Sequence, residues 1–226
     1  VLALDSRFIT GLSDGDSVAT WEDRTNNNYD VTQSSSGSRP LFKAAQSGGS
    51  SVVRFDGSND RLLRSDTGFP TGDFTTIVVA KETRTLSGGQ YGAVFHYGAA
   101  SIGASVFVLF GDDSNIGDDS FGASQFGDAF GVANSTGRYI IGRISRTSTS
   151  YDARVDGGSS SSKTMTTSTS LRGADGFSIG AYNPGVGGGN LNGDVGVIAI
   201  FSSALSSPLS RRVEHAAAFS FKIACQ

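Results

Sequence analysis

The chain of 226 residues is nearly free of cysteine, with Cys225 alone beside the last residue. An internal disulfide and a cysteine-based zinc site are therefore excluded, and Cys225 reads as a frayed free thiol. Glutamate is scarce and scattered, at Glu22, Glu82 and Glu214, and His96 and His215 are the only histidines. That removes most of the acid–base repertoire of a hydrolase. Charge of one sign is also missing: 18 basic residues face 21 acidic ones, and no basic run exceeds Arg211-Arg212. Nucleic acid and anionic membranes are thus poor partners. No apolar run approaches the ~20 residues of a membrane-spanning helix, and no secretory leader opens the chain. Val1, in place of methionine, reads as the start of a processed or excised piece, which leaves secretion open.

Small residues and alternation are abundant. The 31 glycines and many Ser and Thr residues fit short strands joined by tight turns. Val1 to Ile9 reads as an edge strand with Leu2 and Leu4 inward. Val18 and Trp21, the single tryptophan, read as core anchors, followed by a turn at Asp23–Asn28. Residues 31–43 look like a polar excursion pinned by Pro40. Val52-Val-Arg-Phe-Asp-Gly57 is a strand, and Asp60-Arg-Leu-Leu63 resumes its pairing. Residues 74–81, 105–110 and 138–144 are apolar and largely β-branched, as central strands are. Residues 111–132 form either a short hairpin or a long functional loop, and the Ser/Thr tract at 157–171 reads as a flexible hairpin tip. Tyr151-Asp-Ala-Arg-Val-Asp-Gly157 alternates, Phe177–Tyr182 is another strand, and Gly193–Phe201 is apolar on both faces, so covered on both sides. Ser206-Ser-Pro208 then opens a helix. This length accommodates an undivided β-sandwich, and the whole chain, 1–226, reads as one domain.

Val18-Ala-Thr-Trp-Glu-Asp-Arg24, Tyr29-Asp-Val-Thr-Gln33, Arg39-Pro40 and Val53-Arg-Phe-Asp-Gly57 with Asp60-Arg-Leu62 resemble bacterial and viral laminin-G-like domains. These belong to the concanavalin A-like superfamily. Asn192–Phe201, Ala204-Leu-Ser206 and the closing helix fit the same pattern. The resemblance implies an all-β, two-sheet antiparallel jelly-roll sandwich with a short C-terminal helix. It also implies a binding or adhesive module of a larger extracellular, cell-surface or virion assembly. Its partners would be a glycan or surface protein, with a homo-oligomer or neighbouring structural subunits as further partners. The matched positions are core and turn residues, so they carry over a fold and not a site.

Glycoside hydrolysis needs two carboxylates about 5–10 Å apart. The hydrolases of the resembled superfamily set them as Glu-x-Asp-x-Glu on one strand, and its lyases use Gln-x-His and Tyr-x-Lys strands. Neither pattern occurs here. Asp152 and Asp156, with Arg154 between them, come nearest. Gly176-Phe-Ser-Ile-Gly180 matches a nucleophile elbow in letters, but no helical pattern follows it. Asn134-Ser-Thr136 is a glycosylation sequon of little weight. The expectation is a module without catalysis that requires no cofactor.

Two groups have the chemistry of binding. Tyr182, Asn183, Asn190, Asn192 and Asp194 flank the glycine-rich stretch 185–189, joining a ring for sugar C–H faces to amides and a carboxylate for hydroxyls. Tyr91, His96 and Tyr97 form a second polar–aromatic group. Turn chemistry or rim packing explains either group equally well. For calcium, Asp112, Asp113, Asn115, Asp118 and Asp119 offer hard oxygen ligands in one loop, although the spacing is not that of an Asp-x-Asp-x-Asp-Gly site. A solvated acidic turn is the competing reading.

Overall fold

The computed structural model describes residues 2–64, 70–87, 89–98, 106–111, 120–125, 128–133, 137–164, 176–182 and 189–226. Among these, sixteen strands form two antiparallel sheets of eight. The first sheet runs β14 (Ser160–Thr164), β13 (Ser150–Val155), β12 (Ile140–Arg146), β7 (Phe74–Glu82), β16 (Asn192–Phe201), β5 (Ser50–Asp56), β4 (Leu41–Ser47). β1 (Leu2–Asp5) pairs with the far half of β16. The second sheet runs β11 (Asp128–Ala133), β10 (Ser120–Gln125), β9 (Val106–Gly111), β8 (Tyr91–Tyr97), β15 (Phe177–Ile179), β6 (Leu62–Arg64), β3 (Val31–Thr32), β2 (Thr20–Trp21). The architecture is the expected all-β sandwich closed by a C-terminal helix.

Alternation along each strand decides what faces the other sheet. On β7, Phe74, Val78 and Ala80 enter the space between the sheets, while Ile77 and Val79 face outward. Phe95 and Phe177 meet in that core at 5.4 Å, and Phe110 and Phe121 at 5.7 Å. Two rings fit only because glycine lies under them. A β-carbon at Gly142 on β12 would overlap the Phe121 ring, and one at Gly180 would overlap Phe55. Gly180 also has φ +82°, a left-handed conformation that favours glycine.

Outward Ile77, Val79, Val52 and Ile141 would leave an apolar face in water, and α1 (Ser207–Phe221) covers it with Ala218 and Phe221. Pro208 sits in the first turn of α1, where its missing N–H costs nothing. At the other end Ser47 and Ser50 hydroxyls donate to the carbonyls of Phe221 and Ser220, at 2.9 and 2.7 Å, satisfying helix-terminal acceptors. Glu214, buried on the inner side of α1, accepts from Arg154 Nη2 at 2.5 Å and Nε at 3.1 Å. Arg143 pairs with Asp152 beside it. Burial and neighbouring Arg154 pull the Arg143 guanidinium down to about 10.

Five local expectations change or are decided. Within residues 157–171, Ser160–Thr164 forms β14, which hydrogen-bonds to β13 and continues the sheet edge, and residues 165–171 lie outside the described residues. Residues 31–43 hold β3, a 3-10 turn at Ser36–Ser38 and the start of β4. Asp60–Leu63 does not resume pairing with β5: the chain crosses at Asp56–Asp60 to the other sheet, where β6 pairs with β3 and β15. Residues 111–132 contain a hairpin, β10–β11, added to β9. The C-terminal residues are not frayed, since Gln226 N–H donates to Asp156 O at 2.7 Å and half-buried Cys225 packs near Gly157.

Replacing Gly142 with Ala is expected to lower unfolding free energy by about 1–3 kcal/mol, the usual cost of overpacking a filled core. Chemical denaturation checks this, and an unchanged midpoint would show that Phe121 has room to move.

Candidate functional site

A register shift in β8 organises the most distinctive surface. Between Ala93 and Phe95 the pairing with β9 slips, so Val94 and Phe95 both join the core. The backbone groups released by this bulge hold the incoming chain: Gly180 N–H donates to Val94 O at 3.1 Å, and Ala93 N–H donates to Gly189 O at 2.8 Å. Gly180 and Gly189, on either side of residues 183–188, are therefore both tied to β8. Tyr182 lands on the outer face of the second sheet, its ring 5.9 Å from Tyr91 and 5.1 Å from His96, edge-on to each. Gly189 packs so closely on Tyr91 that a β-carbon there would overlap the ring. Tyr91 and Tyr182 are each half-buried, whereas His96 is enclosed.

The two sequence groups thus exchange members. Tyr91 and His96 join Tyr182, while Tyr97 points the other way and is buried in the core. Position along β8 carries the signal for part of this: His96 lies between inward Phe95 and Tyr97, so it faces out. The bulge that turns Tyr91 to the same side has no sequence marker.

The other candidates separate. Asn183 lies outside the described residues, as do Asp112, Asp113, Asn115, Asp118 and Asp119. Asn190 donates through Nδ2 to Ser58 O at 2.5 Å and accepts at its carbonyl from Arg84 Nη2 at 2.6 Å. The Asn192 Oδ1 accepts from the Thr83 hydroxyl at 2.8 Å. Both asparagines are thereby fastened at the end of the sandwich near the Asp56–Asp60 crossover. Asp194 belongs to the other sheet and is fully buried. It accepts from Arg54 Nε at 2.7 Å and Nη2 at 2.9 Å and from the Tyr139 hydroxyl at 2.5 Å. Burial, then the Asp194 carboxylate, pushes the Tyr139 hydroxyl well above its ordinary range. These partners use the acceptor capacity that Asp194 would offer a ligand.

The features considered for catalysis have structural occupations. Asp152 is paired with Arg143, and Asp156 with Arg138. Ser178 sits in mid-strand, buried, donating to Ala181 O at 2.8 Å, rather than at a strand-to-helix turn. Asp56 and Asp60 are the adjacent carboxylates of the crossover. Asp56 Oδ1 accepts the N–H groups of Ser58, Asn59 and Asp60 at 2.8, 3.2 and 3.3 Å, so its charge serves to shape the turn. Burial, then the Asp56 charge, raises the Asp60 carboxyl to about 6, against a weaker opposing hydrogen bond from the Asp56 N–H. Among the described residues, no group of three or more His, Cys, Asp and Glu side chains is placed to hold a metal ion, and no helix is long and apolar enough to cross a membrane.

No family model matches the sequence, and neither does any curated protein. Solved structures do match. The CBM40 of the Ruminococcus gnavus IT-sialidase, bound to α2,3-sialyllactose, has a TM-score of 0.57 at 10% identity, with 72% of this chain and 95% of that one covered. Trypanosoma rangeli sialidase, in complex with sialic acid, has a TM-score of 0.60 at 13% identity, and this chain spans 32% of its length while 95% of this chain is covered. The NanB sialidase of Streptococcus pneumoniae has a TM-score of 0.54 at 14% identity over 70% of this chain and 26% of that one. At such identities the likeness shows a shared β-sandwich fold and nothing finer.

Asp60 carries a pH consequence. A folded value near 6 against roughly 4 in the unfolded chain means the folded state binds the proton more tightly. Its stabilising contribution is therefore complete below about pH 4 and is lost as pH rises through about 6. Asp60→Asn is expected to gain stability relative to the parent between those values, on the order of 2 kcal/mol after solvent screening. Paired urea titrations across that range check it, and a difference independent of pH would contradict the assignment.

Proposed function

We propose that this domain is a non-catalytic glycan-binding module whose recognition face is the outer side of the second sheet. The observation that carries this reading is the Tyr91–Tyr182 pair. Two half-buried rings meet edge-on over a strand whose backbone is clamped from both sides. Sugar rings present C–H faces that pack on such aromatic surfaces, and phenolic hydroxyls can bond the sugar hydroxyls around them. Rigidity matters because ordering a loop on binding subtracts from affinity. The laminin-G-like resemblance and the likeness to a complete CBM40 module support the reading. In that neighbour a comparable sandwich holds a sialylated glycan. We place the module in an extracellular, cell-surface or virion assembly. Calcium held by Asp112, Asp113, Asn115, Asp118 and Asp119 remains part of the proposal. The runner-up is a structural or decoration subunit that uses these faces for protein packing.

A glycan array with the labelled domain is expected to return discrete hits. On a recovered glycan, Tyr91→Ala and Tyr182→Ala should each weaken binding about tenfold or more, at unchanged melting temperature. A blank array together with a discrete oligomer by light scattering would favour the structural subunit, and cleavage of any polysaccharide in a broad panel would overturn the non-catalytic assignment. Millimolar calcium is expected to release or absorb heat in calorimetry and to raise the melting temperature; the absence of both effects would remove calcium from the reading.

A further inference from the structure

The pocket between the first strand and the edge of the second sheet gathers polar groups that the fold itself leaves unused. Asp5 ends β1 and caps the short 3-10 turn Ser6–Phe8, accepting from Arg7 N–H at 3.0 Å and from its guanidinium Nη2 at 2.5 Å. This turn puts Phe8 on the surface, 51% exposed. Opposite it, Asp23 builds the turn after β2. Its carboxylate accepts from the N–H groups of Ala3 at 2.9 Å, Thr25 at 3.0 Å and Tyr29 at 3.1 Å, and from the Thr25 hydroxyl at 2.6 Å. With Asp23 turned inward, its neighbours Glu22 and Arg24 are held out, both exposed.

Phe8, Thr10, Thr20, Trp21, Glu22 and Arg24 line the resulting pocket, with a volume of about 60 Å³. A single water centre needs only some 10–15 Å³, so this space takes several hydroxyl-sized groups. The buried carboxylates Asp194, Glu82 and Glu214 are each committed to an arginine, whereas Glu22 and Arg24 at this pocket are exposed. Among the described residues, Glu22 and Arg24 have no ion pair, and the Thr10 and Thr20 hydroxyls have no hydrogen bond. The Arg24 guanidinium instead lies over the Phe8 ring, 4.6 Å from its centroid. Trp21 borders the pocket but is 1% exposed and belongs to the inter-sheet core.

We propose that this pocket is a second ligand site, for a neutral pyranose unit, separate from the Tyr91–Tyr182 face. The chemistry selects the class. A carboxylate beside a guanidinium offers an acceptor and a donor for adjacent hydroxyls, and the threonine hydroxyls serve as either. The half-exposed Phe8 ring and Ile9 supply an apolar wall for ring C–H groups. Net charge argues against an anion: Arg7 neutralises Asp5, and Glu22 balances Arg24. The site stands on its own observations, since β2 is the edge strand of the sheet and three places removed from β15.

Trp21 is the only tryptophan in the chain and borders this pocket, so its fluorescence serves as the probe. The intact domain would be titrated with galactose, glucose, mannose, N-acetylglucosamine and, as the charged comparison, N-acetylneuraminic acid. At least one neutral sugar is expected to change Trp21 emission saturably. Arg24→Ala and Glu22→Gln, both at exposed positions, should each weaken that response about tenfold, the loss of one charge-assisted hydrogen bond. Tyr182→Ala should leave it unchanged, so failure here and failure of the Tyr91–Tyr182 face are read separately. The proposal is overturned if no neutral sugar gives a saturable change, if the response is confined to N-acetylneuraminic acid, or if it persists at full strength in both pocket variants.

Discussion

Inter-sheet packing of aromatic rings on small residues is the constraint from which the other features follow. Phe121 on Gly142 and Phe55 against Gly180 set how closely the sheets approach. Interiors are packed as densely as organic crystals, so a ring and its seat cannot shift independently. Gly180 also begins the segment that returns along β8 and carries Tyr182. The same contact that closes the core therefore positions the surface ring, which places function downstream of packing.

A second constraint is electrostatic. The domain takes several full charges out of water, and each of Glu82, Asp194 and Glu214 meets an arginine in a two-pronged contact. Burying such charges is costly unless geometry and further hydrogen bonds compensate, so these pairs specify arrangement more than they add stability. Glu214 is the clearest case: it requires α1 to lie with one face against β12 and β13, and Phe221 then covers the apolar outer side of β7 and β16.

The domain uses its two sheets differently. One is covered by a helix; the other carries Tyr91 and Tyr182 at its outer side. Because the sandwich supports binding, catalysis and pure structure in different proteins, the functional reading rests on the surface groups and not on the architecture.

Many strand positions, the inward Leu2, Leu4, Val18 and Trp21, and the burial of both faces over residues 193–196 were legible in the sequence. They follow from alternation and from the need of apolar side chains to leave water, both local properties. The candidate site was legible only in pieces. Tyr182 and Tyr91 are ninety-one positions apart, and their meeting depends on β15 inserting between β6 and β8. Asp194, which looks like a ligand group beside a glycine-rich loop, is claimed by Arg54, 140 residues away. Long-range partners of this kind are chosen by sheet order and register, which one-dimensional periodicity does not encode. Composition and pattern by themselves determined that the chain would stack two β layers with few acid–base groups left over. The tertiary structure alone decided which polar and aromatic side chains are spent on the fold and which remain for a ligand, because that depends on neighbours brought together only when the sheets close.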